Sequence, residues 1–273
     1  MSSHPAIDLK GITCVFGTPG AGKQAYTAVR DASLTLGDGE FVSIVGPTGC
    51  GKSTLLNVAA GLLVPTRGNV SIFGAALAGV NRRAAYMFQV DALLPWLTAR
   101  QNVSLGLELR GIGKKEAADR SESWLRRVGL ASHGEKYPHQ LSGGMKKRVA
   151  LAQVLVIEPQ ILLMDEPFSA LDIQTRQLME NELLEIWSAE KKSILFVTHD
   201  LEEAISLSDR VVVLSAGPAT HPIAEFSIDL ARPRDVTEII HSERYIELHK
   251  LIWNELKEEV RKSYARSMGQ AAA

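Results

Sequence analysis

No stretch of this chain constrains its fold more than residues 46–54, which read GPTGCGKST and lie between the apolar runs 40–45 and 55–60. That order is strand, glycine-rich loop, helix. Backbone N–H groups that turn inward on phosphates need glycine at the crowded positions, which Gly46, Gly49 and Gly51 supply. Lys52 then sets a cation against the outer phosphates, and the Ser53 hydroxyl is a ligand for Mg²⁺. The helix that starts there turns its positive end to the anion. Gly46, Pro47, Thr48, Gly49, Cys50, Gly51, Lys52, Ser53 and Thr54 are therefore the candidate nucleotide-binding residues.

The remaining sequence narrows the setting. At 273 residues and 45% apolar, the chain can bury a substantial core. A formal net charge of −1 gives no electrostatic case for bulk nucleic-acid binding. Cys14 and Cys50 suggest no disulfide framework, and a bridge at Cys50 would obstruct the phosphate loop, so a reducing cytoplasm is expected. Residues 1–8 lack a cationic stretch followed by an apolar one and do not read as a secretory signal. No apolar run reaches membrane-spanning length, so a membrane role is expected to come through a partner.

Strand texture at 7–16, 30–36, 40–45, 69–73 and 84–88 gives way to helical periodicity from 92 to about 154. There Leu105, Leu109, Trp124, Leu125, Val128 and Leu130 are spaced for one-sided burial. Strands resume at 160–165, 193–198 and 210–214, with a helix over 175–191. The fold class is α/β, a P-loop NTPase core with an N-terminal antiparallel β-subdomain, an inserted α-helical subdomain and a C-terminal helical extension. The expected boundaries are 1–91 with 155–230 for the core, 92–154 for the insertion and 231–273 for the extension. Residues 17–24, GTPGAGKQ, imitate a second phosphate loop, but Gln24 stands where a hydroxyl should meet Mg²⁺, so they read as a hairpin loop. The extension carries Tyr245, Leu248, Ile252, Leu256 and Val260 on one stripe, expected to pack on its own domain or on a sister subunit.

Further residues complete the chemistry of the loop. The run ILLMDEP at 161–167 is a buried strand ending in two carboxylates, and ligand sites of open α/β sheets lie at carboxyl ends of strands. Asp165 is a candidate for holding Mg²⁺ through water. Glu166 can take a proton from an attacking water, a role that commonly contributes about 10²- to 10⁴-fold in rate. Gln89 closes another strand, where its amide could reach the metal or the water. His199 ends the strand at 193–198, placed to bond a γ-phosphate, and Asp200 with Glu203 resembles a capping box for the next helix. LSGGM at 141–145 opens a helix whose first turns carry Lys146, Lys147 and Arg148. Cations there oppose the helix dipole by a few tenths to about 1 kcal/mol each, so either an anion docks at Ser142, Gly143 and Gly144 or solvent exposure accounts for them.

With GPTGCGKST, Gln89, LSGGM, ILLMDEP, SALD at 169–172 and His199 in this order, the chain resembles, over residues 7–230, the ATPase subunits of ATP-binding-cassette transporters. Glu40-Phe-Val, Leu93-Leu-Pro-Trp96, LSGGM, DEPFSALD at 165–172, Thr198-His-Asp200 and Arg232-Pro-Arg234 together make it similar to the importers of the nitrate, sulfonate and taurine group. The resemblance implies two copies that sandwich ATP and Mg²⁺ head to tail, the phosphate loop of one facing Ser142, Gly143, Gly144 and Met145 of the other. Glu166 is then the general base, His199 the γ-phosphate sensor and Asp172 a coupler across the dimer. Mg²⁺ falls to Ser53, Gln89 and Asp165, and adenine stacking to Phe16, with Tyr26 as substitute. Integral membrane permease subunits would hold the protein at the cytoplasmic face of the inner (plasma) membrane, with a substrate-binding protein acting indirectly and no nucleic acid involved. Trp96 would anchor the permease helix or pack inside the helical subdomain. Three positions depart from the family pattern: Gln101 for Glu, Met145 for Gln and Gln153 for Arg. A non-transport cassette acting on nucleic acid or the ribosome is the alternative, although it usually carries coiled coils or tandem cassettes.

Overall fold

The computed structural model describes residues 4–17, 25–90 and 92–271. The first strands, β1 (Ile7–Phe16) and β2 (Tyr26–Leu36), pair antiparallel with Phe16 opposite Tyr26. Strand β2 thus starts four residues before the expected position 30. The segment 18–24, read above as a hairpin loop, lies outside the described residues. Strand β3 (Phe41–Val45) leads through the glycine-rich loop into α1 (Lys52–Ala59), followed by β4 (Arg67–Ile72), β5 (Ala75–Ala76) and β6 (Ala84–Met87). Three helices come next, α2 (Ala99–Leu109), α3 (Lys114–Arg127) and α4 (Gly143–Leu155). Then β7 (Ile161–Asp165), α5 (Ile173–Glu190), β8 (Ser193–Thr198), α6 (Leu201–Leu207), β9 (Arg210–Leu214) and β10 (Pro222–Ser227) alternate before α7 (Val236–Ile239) and α8 (Glu243–Ala271).

Two sheets result. One is antiparallel in the order β2-β1-β4-β5, and the other runs β10-β9-β3-β8-β7-β6, parallel except for β10. Strands β3 and β8 are buried at every residue, as continuous apolar strands covered on both faces should be. The alternating burial of β1 fits a sheet packed on one side only. One core lies between the two sheets around Ile7, Leu9, Val42 and Ile44, joined by Leu55 and Leu56 of α1. A second joins the large sheet to the helical layer around Phe41, Phe168, Phe196 and Trp187. A third sits under α8, whose Tyr245, Leu248, Ile252 and Leu256 cover Val45, Val211 and Val213.

Several expectations need correction. Leu109 is 80% exposed and Leu105 half-buried, because α2 turns Ala99, Val103 and Leu107 inward instead. Val260 does not complete the buried stripe of α8 and is 39% exposed. Strand β10 was missed; it is an edge strand that starts at a proline and alternates between half-buried and exposed residues. Trp96 is 69% exposed, which rules out packing inside the helical layer. Asn102 is buried and holds the turn carrying Trp96 through Leu94 N–H, Leu94 O, Leu97 O and Thr98 O. Gln101 completes a capping box with Thr98 at the start of α2, so an amide suffices there. Among the described residues no helix is long and apolar enough to cross a membrane.

The Arg232-Pro-Arg234 run has a structural use. Arg234 is buried and donates to the carbonyls of Ile205, Ser206, Ser208, Ile228 and Leu230, closing the end of α6. Burial, with the neighbouring Arg232 cation, presses its pKa down to about 10, so it stays charged at neutral pH. Arg232 bonds Asp209 and lies 4.0 Å above the Trp187 ring. Arg234→Ala is expected to destabilise the fold by about 3 kcal/mol or more, because it strands several buried carbonyls at once. Chemical denaturation of the variant beside the parent checks this.

Two buried acids between α5 and α6 titrate unusually. Burial, with Glu203 and Asp200 nearby, pushes Glu180 up to about 8, and burial also pushes Glu203 up to about 7 against the hydrogen bond from Thr198. These folded-state values lie above that of an unfolded carboxyl, so the folded protein holds extra protons, and stability falls as pH rises from about 4.5 to 8. Glu180→Gln is expected to remove about 1 to 2 kcal/mol of that loss, measured as a flatter melting temperature between pH 5.5 and 8.5.

Candidate active site

Parallel register brings the site together. Val45 pairs with Thr198 and Asp165 with Val197, so β3, β7 and β8 end level, and the residues that succeed each strand share one edge. Gly51, with φ 118°, precedes α1, and a Cβ there would lie 3.0 Å from Thr220 Cγ2 and 3.3 Å from Val29 Cγ2. A Cβ on Gly46 would meet Cys50 Sγ at 3.0 Å and Leu214 Cβ at 3.2 Å. Glycine at Gly46 therefore answers to packing behind the loop, and at Gly51 to that packing and the positive φ together. At Gly49, φ is 74° and the Cβ position is open, so conformation alone asks for glycine.

Lys52 is buried and its ammonium is held by the carbonyls of Gly46 at 2.9 Å and Pro47 at 3.1 Å. It also stands 3.8 Å from Glu166 Oε1. Ser53 Oγ donates to Asp165 Oδ1 at 2.9 Å, and Tyr86 OH donates to Asp165 Oδ2 at 3.2 Å. Burial raises the Asp165 carboxyl and the Glu166 charge adds to this, against the two hydroxyls that stabilise its anion.

Glu166 is the hub. It comes directly after β7 with φ 43°, a left-handed conformation uncommon for a residue with a side chain. Its N–H bonds Val197 O at 2.8 Å and its carbonyl accepts from Ser169 Oγ at 3.0 Å, which fixes the side chain's direction. Gln89 Nε2 lies 3.1 Å and His199 Nδ1 3.0 Å from its Oε2. An ionised carboxylate only accepts, so in that state Nδ1 carries the proton and Nε2 of the half-exposed imidazole is the free nitrogen. Gln89 thus meets Glu166 with its amide nitrogen.

Ser142 caps α4 by accepting from Met145 N–H at 3.3 Å. Gly144 is required within the chain, since a Cβ would fall 2.6 Å from Thr175 Cγ2, whereas the space beside exposed Gly143 is open. Neither expectation for the three cations holds for Lys147 and Arg148. Buried Lys147 donates to the Gln89 carbonyl at 2.7 Å, while Arg148 pairs with Glu182 at 3.1 Å and bonds Val128 O at 2.9 Å. Their reward is packing α4 onto its neighbours. Asp172 is exposed and caps α5 by accepting from Thr175 N–H at 3.0 Å, a bond that holds its carboxyl below the ordinary value. Asp200 caps α6 through Glu202 and Glu203 N–H, but Glu203 turns to Thr198 instead of closing a box. Phe16 and Tyr26 stand together at the end of their strands, 43% and 47% exposed. The sequence places Tyr86 in a strand and Lys147 among three helix-opening cations, but not their contacts with Asp165 and Gln89. The alternation of β6 could have flagged Tyr86, a polar-tipped residue two before Phe88, but nothing local signals Lys147.

Comparison with known proteins supplies the family. A family profile described as ABC transporter matches residues 29–169. An uncharacterized ABC transporter ATP-binding protein of Methanocaldococcus jannaschii is 48% identical, with 86% of each chain covered. The nitrate import ATP-binding protein NrtD of Synechocystis sp. is 48% identical over 72% of this chain and 74% of its own. The taurine import ATP-binding protein TauB of Mesorhizobium japonicum is 48% identical over 71% and 76%. A solved dimeric ATP-binding cassette in a post-hydrolysis state, bound to ADP and Pi, superposes with TM-score 0.73 at 31% identity, covering 82% of this chain and 100% of that one. The chain belongs to the ATP-binding subunits of the ABC transporter family.

Proposed function

We propose that this chain is the ATP-hydrolysing subunit of an importer that takes up a small anion, such as nitrate, taurine or an aliphatic sulfonate, through a separate membrane permease. The observation that carries the reading is the convergence of Lys52, Gln89 and His199 on the Glu166 carboxylate beside the phosphate loop. In the ATP complex, Lys52 would exchange the carbonyls of Gly46 and Pro47 for phosphate oxygens. Glu166, aimed by its own backbone bonds, would take the proton of the attacking water, with Gln89 and His199 orienting that water and the γ-phosphate. The Ser53 hydroxyl and the Asp165 carboxylate are hard oxygen donors within hydrogen-bond distance of each other, a set that fits Mg²⁺. When bound, the metal neutralises charge on the phosphates. Phe16, or Tyr26 beside it, would stack on adenine.

The Gly143 tip and Asp172, both exposed, would serve the site of a second copy, so that each homodimer holds two nucleotides. Exposed Trp96, on a turn fixed by Asn102, suits a permease anchor at the cytoplasmic face of the membrane. The selecting component would be a substrate-binding protein outside the membrane. The division into core 1–91 with 155–230, helical 92–154 and extension 231–273 belongs to the same reading.

Glu166→Gln is expected to keep ATP affinity within about twofold while lowering turnover at least about 10²-fold and accumulating an ATP-bound dimer. Undiminished phosphate release would refute Glu166 as the base. Lys52→Ala should instead weaken nucleotide binding itself, read by equilibrium titration with a fluorescent ATP analogue. Reconstitution with the permease should stimulate ATPase activity, and Trp96→Ala should abolish the stimulation while sparing the basal rate.

A further inference from the structure

The C-terminal helix α8 carries two adjacent apolar stripes. Tyr245, Leu248, Ile252 and Leu256 are consumed by the chain's own core. The second stripe, Trp253, Val260 and Tyr264, is 45%, 39% and 66% exposed at helical spacing. Both its setting and its chemistry point to an occupant. Trp253, Val260 and Tyr264 line one cleft of about 450 Å³ together with Pro47, Thr48 and His199. These last three belong to the phosphate loop and the γ-phosphate edge, over which a second copy sits in the ATP-sandwich reading. A neighbouring cleft of about 540 Å³ joins Trp253 to Ile173, which comes after Asp172 at the start of α5 and is 70% exposed. Apolar side chains thus line both of the clefts that meet at His199 and Trp253, with Gln177, Glu202 and His249 as a polar rim.

We infer that the second stripe of α8 is a docking surface for a second copy of this chain, continuous with the nucleotide seam. The inference rests on the ATP-sandwich reading and extends it. A copy that covers Pro47, Thr48 and His199 must meet Trp253 and Val260 in the same cleft. A twofold arrangement sets the same patch of each copy in the interface, so exposed Ile173 and Trp253 offer self-complementary apolar surface. Trp253 has the size and amphipathic ring of an interface anchor. The extension then ties nucleotide-driven closure to contacts outside the phosphate loop and signature.

The full-length Glu166→Gln chain, given ATP, provides the test. Sedimentation should show an ATP-dependent dimer, and the added double change Trp253→Ala with Val260→Ser should raise its dissociation constant at least about tenfold. The affinity of the monomer for ATP should stay within about twofold. Oxidative footprinting of the Glu166→Gln chain without those two changes should show Trp253 becoming protected when ATP is added. A dimer indifferent to the double change, or Trp253 equally reactive with and without ATP, would overturn this inference and leave the sandwich standing. A matching fall in monomer affinity would overturn it too, by assigning the stripe to the phosphate loop within one copy. No ATP-driven dimer at all would refute the sandwich and the inference with it.

Discussion

The parallel register of β3, β8 and β7 is the constraint on which the rest depends. Three apolar strands, each useless for chemistry along its length, end at one level. Their C-terminal neighbours in the chain are therefore carried to the same edge: the phosphate loop after Val45, the carboxylate pair at Asp165 and Glu166, and His199 after Thr198. A slip of one residue in any pair would exchange the side chains packed into the two different cores on either face and would carry one group off the shared edge. The hydroxyls of Ser53 and Tyr86 then fasten the first carboxylate, while the second is turned by a left-handed backbone.

At the opposite end of the strands, where Val42 pairs with Arg210 and Phe41 bonds Asp209, polar groups join layers that apolar packing alone would leave free to slide. Arg234 gathers five carbonyls where α6 ends, and Arg232 ties the same corner to Asp209 and Trp187. Such buried cations cost desolvation and repay it through many bonds made at once. Arg148 and Glu182 do likewise between α4 and α5, at partial burial.

Contiguity decided what could be read from the sequence. Residues 46–54 carry their chemistry within a single turn of chain, and the carboxylates come after an unbroken apolar strand, so both were legible, as was the strand at 7–16. Lys147 was not, because its partner Gln89 is 58 positions away and no local pattern announces the contact. Leu105 and Leu109 misled because α2 takes its buried face from Ala99, Val103 and Leu107, and Leu109 falls on the last turn, where the core has ended. Strand β10 escaped for a related reason, since an edge strand with one half-covered face barely alternates. Val260 has a hydrophobic side chain at the right period, yet the neighbour that period implied is absent from its own subunit's core.

Gln89 is gripped from two sides. Its main-chain oxygen is held by an ammonium rooted in α4, and its side-chain nitrogen touches Glu166. The helical arm that opens at Ser142 and the Glu166 carboxylate are thus linked through one amino acid, like a crank with a single pin. In the ATP-sandwich reading a swing of that arm would pull on the pin, so the timing of hydrolysis would follow the posture of the arm.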